Sequence, residues 1–150
     1  MAEDRDALLE HYGTMRADLL AAIEGLSDAQ LTEPTIDGWS VKDHLAHIAF
    51  WDKVRADEVL RMTAGYDSTW KASPEHEAVI SPIIYELHRD VSPGQARWEL
   101  DGSHRRLLAA LAGANDRALE SSRYGEAGLQ SRHEAAHTGW IRRWRSDRAF

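Results

Sequence analysis

Eight histidines and no cysteine stand in this chain. Chemistry that needs a protein thiol is therefore closed, and imidazole chemistry is open. Neutral imidazole nitrogens are ligands for zinc, nickel and similar ions. His133 and His137 are four residues apart, a spacing that projects both rings from one face of a helix. They fall on the apolar stripe Leu129, His133, His137, Trp140, Ile141 and Trp144, so the pair faces a core. A third histidine from a neighbouring helix would complete a facial set, leaving positions for water or substrate. His44, His47 and His104 are the candidates, and periodicity alone does not choose among them. The pair by itself is a weak signal, because inward histidines are more often hydrogen-bonded core residues. It is not the HExxH pattern either: Glu134 follows the first histidine directly and inherits no role as a base. His11, His76 and His88 read as surface or loop residues.

Four long helical patterns must carry these side chains. The first is expected from about Asp4 to Glu24, on the stripe Leu8, Tyr12, Met15, Leu19 and Ile23. Gly25 ends it, Ser27 can cap a short turn, and Pro34 marks a loop. The second starts at Ser40, with Asp43 three residues on as a short-armed capping box. Trp39 precedes the cap in the outer position of a hydrophobic staple, and the helix runs to about Met62. Residues 65–91 are punctuated by Gly65, Pro74 and Pro82. There Ile80, Ile83, Ile84 and Leu87 suggest a short helix outside the main body. The third long helix begins at Ser92 with Pro93 in its first turn and stops at Gly113. The fourth is expected from about Ala127 to Arg148. No strand, repeat or low-complexity segment is evident. The expected fold is an all-α four-helix bundle, one domain over residues 1–150, with a long crossover between helices two and three.

Composition narrows the function classes. The net charge is −7, which argues against a general nucleic-acid binder, since phosphate neutralisation needs a basic face. The acidic excess lies in the first 60 residues, and the basic residues gather at Arg142, Arg143, Arg145 and Arg148. Those arginines fit the solvated face of a last bundle helix better than a membrane or anion surface. No apolar run approaches the ~20 residues that span a bilayer. The acidic N-terminus lacks a signal-peptide pattern. A cytoplasmic protein is expected.

Two motifs carry a family resemblance. Gly38-Trp39-Ser40-Val41-Lys42-Asp43-His44-Leu45-Ala46-His47-Ile48 resembles the DinB/YfiT-like superfamily signature, in which a metal-binding histidine follows the tryptophan by eight residues. That position is His47. The second motif, HxxxH on the last main helix, is matched by His133 and His137. Within the superfamily the chain looks most similar to the ClbS/DfsB four-helix-bundle proteins. Trp98 to Leu108 resembles their third helix, and His137 to Trp144 their last. Residues 66–90 carry no strong family pattern, and Ser131-Arg132 departs from the aromatic often found before the HxxxH pair.

The resemblance implies a divalent metal, zinc or nickel before iron, held by His47, His133 and His137. It also implies metal-dependent hydrolysis or thiol S-transfer on a reactive small-molecule electrophile. Three neutral ligands leave the ion its full charge, able to bring the pKa of water toward ~7 or to stabilise a thiolate. His104 is the side chain picked as a catalytic auxiliary, with Tyr12 behind it, although both also fit structural roles. Trp39, Trp51, Trp140 and Trp144 fit core packing or a pocket wall, and Trp70 a dimer contact or pocket rim. The expected partners are a small-molecule substrate, a low-molecular-weight thiol and a second copy in a homodimer. Nucleic acid and membrane are not expected. The alternatives are a non-catalytic sequestering protein and a metal-free interaction bundle.

Overall fold

The computed structural model describes residues 1–35, 37–69, 73–125 and 128–150. Among these residues six α-helices follow one another: α1 (Arg5–Ile23), α2 (Asp28–Thr32), α3 (Val41–Thr63), α4 (Pro74–His88), α5 (Pro93–Ala112) and α6 (His133–Asp147). A 3-10 turn covers Ser121–Tyr124. Among the described residues the only β feature is an isolated bridge between Pro34 and Ser40.

The helix starts follow local chemistry. Asp4 caps α1 by accepting from Ala7 N. Ser27 and Gln30 close a full capping box on α2. On α3, Ser40 Oγ accepts from Asp43 N at 3.2 Å and Asp43 Oδ2 accepts from Ser40 N at 2.9 Å. Such reciprocal bonds satisfy two donors that a helix terminus leaves unpaired. Ser92 caps α5, and Pro93 sits where its missing N–H costs nothing.

The four long helices α1, α3, α5 and α6 form the bundle. α1 and α3 stand diagonally, and each packs against α5 and α6. Two apolar clusters fill the interior. One gathers Leu8, Tyr12, Val59, Met62, Leu107 and Leu129; the other gathers Leu19, Ile23, Leu45, Ile48, Leu100, Ile141 and Trp144. A polar layer divides them. Arg16 of α1, only 4% exposed, donates to Asp52 Oδ2 of α3 at 2.6 Å, to the Leu100 carbonyl of α5 at 2.8 Å, and to both Glu134 oxygens of α6 at 3.0 and 3.1 Å. One guanidinium thus ties all four helices together. Burial lowers its pKa, but Glu134 and Asp52 more than reverse this, so it stays charged.

Two expectations need correction. α6 begins at His133, not near Ala127, a residue outside the described set. Residues 128–132 are not helical, although Leu129 is fully buried. Its carbonyl accepts from the Tyr12 hydroxyl, so the position is core-facing without being helical. The connector also holds a full 15-residue helix rather than a short one, although it lies outside the bundle as expected. α4 packs on α3, and buried Lys42 fastens its C-terminal end by donating to the carbonyls of His88 and Arg89 at 3.4 and 2.6 Å. A cation there also suits the negative end of the helix dipole. Arg145 does similar work for α1, donating to Ala22 O at 3.0 Å. No helix among the described residues is long and apolar enough to cross a membrane.

Candidate metal centre

α3 contributes His44, His47 and Trp51, each with its ring buried beneath the surface. α6 contributes His133, His137 and Trp140. The axial register of the two helices is fixed nearby by Asp52 and Glu134 sharing Arg16. Ser131 Oγ sets the start of α6, accepting from His133 N at 3.2 Å while Arg55 donates to it at 3.0 Å.

The structure brings His47, His133 and His137 together, with one ring nitrogen from each within 4.8 Å of the others. His133 Nε2 lies 3.1 Å from His47 Nε2 and 3.1 Å from His137 Nε2. A neutral imidazole nitrogen offers one N–H or one lone pair, so His133 Nε2 does not serve both neighbours well by hydrogen bonding. Two nitrogens each about 2.0–2.1 Å from one ion would sit roughly 3.0–3.4 Å apart, and both separations fall in that range. His47 Nδ1 is buried and has no hydrogen-bond partner among the described residues. The donor set therefore fits a divalent ion.

Electrostatics favour the ligating form. Burial first, then the neighbouring imidazoles, pushes His47 down to about 3. Burial, Arg55 and His44 push His133 down to about 4. Burial foremost, then the His133, His44 and His47 rings, carries His137 lower still. All three rings are neutral at physiological pH, the state a metal needs.

The three histidines open into a cavity of about 370 Å³ that is also lined by Asp37, Trp39, Glu77, Ser81 and Trp140. Trp39 stacks between Tyr85 of α4 and His137, with ring centroids 6.0 and 6.4 Å away. It also approaches His44 at 5.4 Å, the staple position anticipated for it. Trp140 is half-exposed at the cavity wall. Trp51 is buried beside His47 and His133, whereas Trp144 packs in the core. Trp70 lies outside the described residues.

The remaining candidates stand elsewhere. His104 is half-buried on α5 and lines a different cavity with Gly13, Arg16, Ala17 and Arg97. Burial and the Arg16 charge lower its pKa. It does not join the three histidines, because its ring faces the cavity between α1 and α5 and not the one at α3 and α6. Tyr12 is spent on the Leu129 carbonyl. Glu134 is occupied by Arg16, with burial pushing its carboxyl up against that pull. His44 touches the site without entering the ligand set: its Nδ1 is 2.7 Å from His137 Nδ1. Sequence reasoning missed Asp37, Glu77 and Ser81. Glu77 and Ser81 are four apart on α4, where the apolar pattern was too broken to assign a face.

A helix bundle with three inward histidines at one cavity has a donor set that could hold a metal ion. The sequence pattern of the DinB superfamily matches residues 11–141, and the chain belongs to that superfamily. The crystal structure of an uncharacterised protein from Escherichia coli UTI89 is similar, with a TM-score of 0.79 at 13% identity. The match covers 97% of this chain and 95% of that one, a likeness of fold. No functionally curated protein matches the sequence significantly.

Proposed function

We propose that this protein is a divalent-metal-dependent enzyme, a hydrolase or thiol S-transferase, acting on a reactive small-molecule electrophile. The carrying observation is the convergence of His47, His133 and His137, all neutral, on one cavity. When bound there, a divalent ion supplies Lewis acidity and lowers the pKa of water or of an incoming thiol. Zinc or nickel suits three imidazoles, and iron is also compatible.

The chain's own groups do the rest. The indoles of Trp39 and Trp140 offer apolar wall to a substrate body and keep bulk water from part of the cavity. Glu77 and Ser81 bring a carboxylate and a hydroxyl to the same space, able to accept or orient a proton. The chain has no cysteine, so a thiol nucleophile comes from solution. A homodimer belongs to the proposal: Val79, Ile83 and Leu87 lie exposed along one face of α4, and light scattering tests it.

The test is turnover by zinc-loaded and nickel-loaded protein. Cysteine with monobromobimane probes S-transfer, and para-nitrophenyl acetate probes hydrolysis. Metal-dependent turnover, abolished by chelator and by His133→Ala, is expected in one assay. Saturable binding of the electrophile with no turnover above background would instead support a sequestering protein.

A further inference from the structure

We propose that His44 and Asp37 are positioning residues for His137, linked as a His137–His44–Asp37 hydrogen-bond chain that turns the His137 Nε2 lone pair toward His47 and His133. The inference rests on the metal reading above and assigns residues that reading does not use.

Asp37 Oδ1 accepts from the Thr35 hydroxyl at 2.5 Å and from Trp39 N at 3.2 Å. Partial burial raises its carboxyl, but these bonds and the nearby His44 outweigh that, so it is ionised. An ionised carboxylate only accepts. His44 Nε2 lies 3.3 Å from Asp37 Oδ2 and must therefore carry the proton. The His44 side chain is fully buried, and its Nδ1 is 2.7 Å from His137 Nδ1. One of these two nitrogens must donate and the other accept. The His44 proton sits on Nε2 toward Asp37, which leaves its Nδ1 to accept and His137 Nδ1 to donate. A neutral His137 with its proton on Nδ1 has a free lone pair on Nε2, the atom 3.1 Å from His133 Nε2.

The turn before α3 makes the chain possible. Thr35 N donates to Trp39 O at 2.6 Å and Gly38 N to Thr35 O at 3.1 Å. Gly38 has φ of +87°, a conformation that only glycine adopts without strain. The bend folds Asp37 back over the first turn of α3, where His44 lies. Ligating histidines commonly hand their second N–H to a carboxylate or carbonyl, which fixes the tautomer and raises ligand basicity. Here a second imidazole stands between ligand and carboxylate and relays the same constraint.

The experiment measures zinc affinity by competition with a chromophoric chelator for wild type, His44→Phe, Asp37→Ala and Asp37→Asn. Long-range proton–nitrogen NMR of the zinc-loaded wild type reads the histidine tautomers. His44→Phe is expected to weaken zinc binding by roughly 10–100-fold, Asp37→Ala by a smaller factor. Asp37→Asn keeps an acceptor oxygen and is expected to recover most of the loss. His44 is expected as the Nε2–H tautomer and His137 as Nδ1–H. The Asp37 side chain is 42% exposed, so its variants fold, and metal-free melting curves matching wild type establish this. Wild-type affinity in both His44→Phe and Asp37→Ala, or an Nδ1–H proton on His44, overturns the inference while leaving the metal reading intact. A wild type that takes up no zinc overturns both.

Discussion

Replacing Arg16 with methionine removes the group that ties all four bundle helices together. The substitution keeps the length of the aliphatic stem and deletes the fork. Asp52 and Glu134, 2% and 8% exposed at their side chains, then share a dry layer with only Arg55, 3.9 Å from Asp52 Oδ1, as a neighbouring cation. Removing one partner of a buried ion pair costs about 3–5 kcal/mol, mostly because the other charge is left uncompensated. In a chain of this size each kcal/mol moves the melting temperature by roughly 2–4 °C, so a fall of roughly 6–20 °C is expected. The penalty also carries a pH signature. With the guanidinium gone, burial raises the folded-state pKa of Glu134 further above its unfolded value. The variant then gains stability relative to wild type as pH falls through the carboxylate range. Calorimetric melts of metal-free wild type and Arg16→Met at pH 7 and pH 4.5 measure both effects. Arg16→Lys keeps the charge but not the bidentate geometry, and is expected to fall between the two. A melting temperature within about 3 °C of wild type at pH 7, or a gap that widens on acidification, would refute the reasoning.

The depressed histidine pKa values predict the pH behaviour of the site. Protons compete with metal only as pH drops through the folded values, about 4 for His133 and about 3 for His47. Zinc affinity measured by chelator competition should therefore hold nearly flat from pH 8 to 5, whereas a solvated three-histidine site would weaken from about pH 6.5 downward. The same shift destabilises the metal-free protein in acid. Its stability contribution is full above the unfolded pKa of about 6.5 and is lost as pH falls from there through the folded values, which urea melts at pH 7 and 5 would register. Ser40→Ala deletes the capping box of α3 and should cost about 1 kcal/mol in urea unfolding. His104→Asn should leave zinc stoichiometry and affinity at wild-type values, since the ring lines another cavity.

The main elements of the bundle could be read because their signals are local. Ser40 with Asp43 and Ser92 with Pro93 mark helix starts through bonds closed within a single turn. The HxxxH spacing of His133 and His137 works the same way. What escaped sequence reading depends on contacts far apart in the chain. Leu129 looked helical because it continues a stripe, yet its backbone is held by Tyr12 over a hundred residues away. α4 was read as only a short helix because the stripe Ile80, Ile83, Ile84 and Leu87 covers just its second half, with Pro82 inside it. His44 lay mid-stripe like a ligand, and only the turn that delivers Asp37 separates a supporting ring from a coordinating one. Arg16 was invisible as a keystone, since its three partners come from three other helices.

Metal stoichiometry is the most direct measurement of the central claim. Protein stripped with chelator, reloaded with zinc and desalted is assayed by plasma emission spectroscopy. His47→Ala, His133→Ala, His137→Ala and His104→Asn are treated in parallel. The account predicts one zinc per chain in wild type and His104→Asn, and loss of tight zinc in each of the other three variants. Zinc retained in those three at the wild-type ratio, or none retained by wild type, would contradict it.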